Sequence, residues 1–194
     1  IERRTMMSRC NHVLECIVSI SLLLMDCYVD GTFQSIVLSG GLSKGYISLG
    51  VLKYFSDRIL GVSELIGTSI GSVLCLLLCC GYSPQEIISE TIVNDIPIVL
   101  SDGSDCVGLF SLNKFISNIS RLVSLKIGIE NPTYQELYDR TGKILKVVVV
   151  NATKRKVVVY SKFNTHRRVL DCIHDSCSIP GVFERRSFEG DFMV

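Results

Sequence analysis

Short runs of β-branched and aliphatic residues alternate along this chain with stretches of helical periodicity. Ser35–Leu38 reads as a short buried strand, followed by glycines. From Ser43 to about Arg58 the spacing turns helical, with Leu49, Leu52, Tyr54 and Phe55 apolar. Val62–Ile66 predicts a second short strand. Ile70–Cys80 predicts a strongly apolar helix stopped by Gly81, and Ser83-Pro84 opens another that runs to about Val93. The stretch Asn94–Pro132 is weakly patterned, with turns at Asp102-Gly103 and Gly108 and a helix expected over Leu112–Leu125. Leu145–Asn151 and Val157–Ser161 read as strands joined by a turn, and Val169–Cys177 as a helix ended by Pro180-Gly181. Strands alternating with helices predict an α/β fold with a mostly parallel central sheet.

Composition narrows the function classes. The 194 residues are 47% hydrophobic, enough to supply one packed domain. A formal net charge of +1 argues against a protein built around nucleic acid. The charge is uneven: residues 145–194 carry a net +4. That would suit an anionic membrane surface, although an ordinary solvated face is the simpler reading. The nine cysteines form no CxxC pair and lie at no zinc-finger spacing from histidine, so neither a metal site nor a cofactor is expected. Several fall in apolar runs, where a free thiol behaves as a small hydrophobe, which suggests a reducing compartment. The sequons at Asn118 and Asn151 are then without meaning.

At the N-terminus, Arg3, Arg4 and Arg9 precede an apolar stretch, Ile17–Met25. This resembles the start of a signal peptide, but no small-x-small cleavage site follows, and Glu15 and Asp26 leave the stretch too short to span a bilayer. The expectation is a helical extension over 1–34 packed on a domain over 35–194. A first residue of Ile1 suggests a fragment, with Met6 or Met7 as candidate starts. A cytoplasmic or peripheral-membrane location fits best, with secretion still open.

Two glycine-rich turns carry chemistry. Gly67-Thr68-Ser69-Ile70-Gly71 fits G-x-S-x-G and sits between a predicted strand and helix. Such a turn pushes the serine hydroxyl out of the sheet, while Gly67 and Gly71 allow close backbone approach. The helix N-terminus then faces the position where an oxyanion develops. Ser39-Gly40-Gly41-Leu42-Ser43-Lys44-Gly45 also lies between strand and helix. It fails the Walker pattern because Tyr46 follows Gly45, and fails G-x-G-x-x-G because Leu42 occupies the second glycine's place. A nucleotide-binding domain is therefore disfavoured. Anion stabilisation by backbone N–H groups is the remaining role.

The block from Ser35 to Phe55, the run from Gly67 through Tyr82-Ser83-Pro84, and Ser176-Cys177-Ser178-Ile179-Pro180-Gly181-Val182-Phe183 resemble, in order, the motifs of the patatin-like phospholipase family. The flavour is that of versions found in large DNA viruses. The resemblance implies a three-layer α/β/α fold, hydrolysis of acyl esters in a lipid substrate, phospholipid or neutral, and a Ser–Asp dyad. Ser69 matches the nucleophile, and Gly40, Gly41 and Leu42 match the oxyanion-hole loop. Lys44 matches the loop's basic residue, with Gly45 beside it, while Leu42 departs from the family's glycine. The family aspartate follows a glycine and a short strand. Gly190–Val194 fits that lead-in, which places the aspartate immediately after Val194; Asp191 reads as a turn residue. Residues 1–194 alone are then expected to be inactive or very weak.

Two alternatives stand beside this reading. A serine triad would need His166 or His174 with an acid such as Asp102 or Asp139, but His174, between Asp171 and Asp175, looks like part of a solvated helix face. A non-catalytic lipid- or protein-interaction module is the other. In the hydrolase reading, Asn94–Pro132 would contribute to a lid or acyl groove.

Overall fold

The computed structural model describes residues 28–29, 32–90, 99–100, 110–184 and 186–194. The basic and apolar N-terminal features lie outside the described residues, as do 91–98 and 101–109. Tyr28–Val29 (β1) and Thr32–Phe33 (β2) form a small antiparallel ladder. Ser35–Leu38 (β3), Glu64–Thr68 (β4) and Ile144–Asn151 (β7) run parallel as the centre of the main sheet. Val99–Leu100 (β5) and Phe110–Ser111 (β6) pair separately. Lys156–Tyr160 (β8) returns antiparallel along β7. Arg186–Phe188 (β9) and Asp191–Met193 (β10) form a hairpin that also joins β7. Its two-residue loop, Glu189 and Gly190, has φ of 53° and 82°. Positive φ at both positions matches the twist that antiparallel strands prefer.

The way strands share the edges of β7 decides where the site lies. Even-numbered residues of β7 turn their peptide groups toward β4: Ile144 N donates to Ser63 O at 2.8 Å. The same edge receives β10 further along, where Val150 N donates to Val194 O at 2.6 Å and Val194 N donates to Val150 O at 2.9 Å. β4 and β10 therefore approach each other end to end. β4 stops opposite Val148, and Ser69 follows it directly.

Helices cover the sheet face bearing Ile36, Leu38, Leu65, Leu145, Val147 and Val149, all buried. The α-helices among the described residues are Gly45–Tyr54 (α1), Ser56–Ile59 (α2), Ile70–Cys79 (α3), Pro84–Ser89 (α4), Asn113–Ile127 (α5), Tyr134–Thr141 (α6) and Val169–Cys177 (α7). All ten residues of α3 are buried, which explains its lack of any charged residue. On the opposite face Val37, Val150, Val157 and Val159 remain exposed among the described residues. The fold is α/β, with a parallel sheet centre and antiparallel flanks.

Several boundaries differ from the sequence reading. β4 starts two residues later than predicted and runs on to Thr68, because Gly67 pairs with Leu38 and Thr68 with Val148. The single helix expected from Ser43 becomes a 3₁₀ turn, Leu42–Lys44, followed by two α-helices. The break falls at Phe55, whose ring packs edge-on against Phe33 at 5.9 Å. α6 was not anticipated. Its signals are a capping box, in which Thr133 and Glu136 satisfy each other's backbone N–H, and Gly142 in the left-handed conformation at its end. α5 buries Phe115, Ile119, Leu122 and Val123, so this part of Asn94–Pro132 belongs to the core.

α7 is anchored from below by an ion pair. Arg167 Nη2 lies 2.7 Å from Asp175 Oδ2, with side chains 10% and 1% exposed. The guanidinium also lies over the rings of Phe188, at 4.0 Å, and Tyr160, at 5.0 Å. Burial holds the Asp175 carboxyl above the usual carboxylate range, partly offset by Arg167. Removing the cation alone would strand a buried acid. Arg167→Met is expected to cost about 3–5 kcal/mol in urea unfolding, whereas a paired apolar replacement of Arg167 and Asp175 should recover most of that loss.

Candidate active site

The tight turn at Ser69 is made by close backbone approach. Ser69 has φ 52° and ψ −129°, a conformation that residues with a Cβ rarely adopt. A Cβ on Gly67 would sit 2.4 Å from the Ser72 backbone, and one on Gly71 would sit 2.4 Å from Leu38 O. Any side chain at either position would push α3 off the strands and open the turn. Ser72 N donates to Ser69 O at 2.8 Å, and Ser72 Oγ donates to the same oxygen at 2.6 Å. Ser69 itself is half-buried, at the junction of strand and helix.

The glycine loop lies against this turn. A Cβ on Gly40 would come 3.1 Å from Ser69 Cβ. Gly41 accepts a bond from Lys44 N at 3.0 Å, and the Lys44 stem packs beside it. Leu42 starts the 3₁₀ turn. Gly45 opens α1 and is buried against Ile70. The two motifs, 22 or more positions apart in sequence, are thus neighbours, because β3 and β4 pair in parallel and end at the same level.

A third element, which the sequence reading left without a role at the serine, meets them here. Ser69 N donates to Ser176 Oγ at 2.8 Å, and Ser176 Oγ donates to Val148 O at 2.6 Å. Cys177 lies within hydrogen-bonding reach of the Ser69 side chain, and burial pushes its thiol up to about 12, which keeps it unreactive. In the sequence, the signal for both residues is their place in the run Ser176–Phe183.

The acid and histidine candidates resolve differently. Asp191 is the first residue of β10, not a turn residue. Its carboxylate accepts from Asn151 Nδ2 at 2.8 Å and from Lys154 Nζ at 2.6 Å, and these bonds hold it below the usual carboxylate range. Asn151 is itself buried. His166 is exposed. His174 is 3% exposed, not on a solvated face, because α7 packs that side inward. It lies 3.4 Å from Ser178 Oγ, and among the described residues no hydrogen bond joins either histidine to Ser69. Among them, too, no cluster of His, Cys, Asp and Glu could hold a metal ion.

Burial lowers the His174 pKa from 6.5 to about 4. The unfolded chain therefore takes up this proton first as pH falls. The neutral ring's stabilisation is complete above about pH 6.5 and is lost progressively down to about pH 4, on the order of 3 kcal/mol in total. Urea midpoints measured across that window should fall more steeply for the parent protein than for His174→Gln.

The match to known proteins follows the same geometry. The family model described as patatin-like phospholipase matches residues 36–194. The chain belongs to the patatin-like phospholipase family. A probable lipid hydrolase of Invertebrate iridescent virus 6 is 30% identical over 170 residues, covering 84% of this chain and 59% of that protein. A triacylglycerol lipase of Arabidopsis thaliana is 28% identical over 159 residues, covering 77% of this chain and 20% of the lipase. The chain therefore spans less than two thirds of the length of these relatives. In structure it is similar to VipD from Legionella pneumophila, with a TM-score of 0.55 at 16% identity over 82% of this chain and 45% of that one. That likeness concerns the fold. Among the described residues of this patatin-like chain, no helix is long and apolar enough to cross a membrane.

Proposed function

We propose that this chain carries the nucleophile and oxyanion loop of a lipid acyl hydrolase. The carrying observation is Ser69 at positive φ between β4 and α3 with Gly40 packed against it. In this reading Ser69 Oγ attacks the ester carbonyl carbon and gives up its proton to a carboxylate base. The backbone N–H groups of Gly40, Gly41 and Leu42 receive the oxyanion, with Lys44 adding positive charge nearby. The alcohol departs with the proton, and water then hydrolyses the acyl-enzyme. The scheme needs no metal or cofactor.

The register of β10 supports a base carried by the residue that follows Val194. Met193 pairs with Asn151 in antiparallel register, so the next residue after Val194 would stand opposite Val149. That is the gap into which β4 delivers Ser69. The substrate class proposed is a lipid acyl ester, phospholipid or neutral lipid, met at a membrane surface from the cytoplasmic side. Labelling by a fluorophosphonate, mapped by peptide analysis to Ser69, tests the reading.

A further inference from the structure

We infer that Ser176 is a positioning residue that holds the nucleophile turn in its strained form. On the β7 edge shared by β4 and β10, the Val148 carbonyl lies between the C-terminal ends of the two strands. Ser176 Oγ occupies that gap, donating to Val148 O at 2.6 Å and accepting from Ser69 N at 2.8 Å. One hydroxyl thus carries the ladder across the interruption. It supplies the acceptor that the Ser69 N–H loses when the chain leaves β4 and turns through φ 52°. A relaxed turn would rotate this N–H away from Ser176 and move the Ser69 hydroxyl off its place beside Gly40.

The placement of Ser176 is itself secured. It lies in the last turn of α7, one residue after Asp175, whose buried pairing with Arg167 fixes that end of the helix. Alanine at 176 keeps the packing but leaves both the Ser69 N–H and the Val148 carbonyl without this partner, and a buried donor left unpaired favours any rearrangement that exposes it. Threonine keeps the hydroxyl.

Two measurements on the full-length protein test the assignment. Hydrogen–deuterium exchange of the Ser69 amide should accelerate about 10–100-fold in Ser176→Ala and stay near the parent rate in Ser176→Thr. This readout does not depend on Ser69 being a nucleophile. Unchanged exchange in a folded Ser176→Ala would overturn the positioning role. The second measurement rests on the proposed reaction. Ser176→Ala should lower kcat and the fluorophosphonate labelling rate by about 10–100-fold with KM little changed, and Ser176→Thr should restore most of the loss. Should Ser176→Ala not fold, Ser176→Cys, a weaker acceptor, should show intermediate exchange; exchange equal to the parent would count against the role. Altered exchange together with labelling that survives Ser69→Ala would leave the anchor standing and remove the hydrolase reading.

Discussion

Ser69→Ala in the full-length protein is expected to abolish fluorophosphonate labelling and to lower ester turnover by at least about 10⁴-fold. Ser69 is held at φ 52°, a position costing about 1–3 kcal/mol for a residue with a side chain. Ser69→Gly should accordingly raise the urea midpoint while remaining inactive, a trade of activity for stability. A Ser69→Gly variant no more stable than the parent would show that the turn stores no strain. Labelling that persists in Ser69→Ala would place the nucleophile elsewhere.

Residues 1–194 by themselves should hydrolyse a p-nitrophenyl ester no more than about 10³–10⁴-fold faster than water, the range an oxyanion hole and binding can supply when a catalytic member is missing. Extension through the residues that follow in the reading frame should raise the rate far above that level if they begin with aspartate, and changing that aspartate to Asn should return it to the low value. Among the described residues, two buried or bonded carboxylates are already engaged. Asp191 is bound by Asn151 and Lys154, and Asp175 by Arg167. Equal rates for the short and extended forms would exclude a base after Val194. In that case Asp191→Asn, which frees Lys154, becomes the next variant to measure.

Much of the fold was legible because it depends on local chemistry. The apolar run read as Ile70–Cys80 forms the buried helix Ile70–Cys79, and the β-branched run read as Leu145–Asn151 forms the strand Ile144–Asn151, buried along one face. The helix Tyr134–Thr141 was missed although its capping box is local, because its face is narrow: among its residues only Tyr134 and Leu137 are buried. The β9–β10 hairpin was hard to read for another reason. Its turn places Glu189, not a typical turn residue, at positive φ, and tertiary pairing with β7 outweighs that preference.

The candidate site divides along the same line. Ser69 and the glycine loop could be proposed from sequence alone, because a strand-to-helix turn without room for a Cβ demands glycine at 67 and 71 and leaves a recognisable pattern. The sequence also marked several cysteines as small hydrophobes in apolar runs, and among the described residues Cys75, Cys79, Cys80, Cys172 and Cys177 are buried free thiols. Only the tertiary structure decided that Ser176 bridges Ser69 and Val148, that Asp191 is occupied by Asn151 and Lys154, and that His174 faces inward. Each of those outcomes depends on which strand shares an edge with β7 and which side of α7 meets the sheet. Contacts between residues 28 to 107 positions apart have no periodicity to announce them; they exist only once the parallel strands have brought their ends to one level.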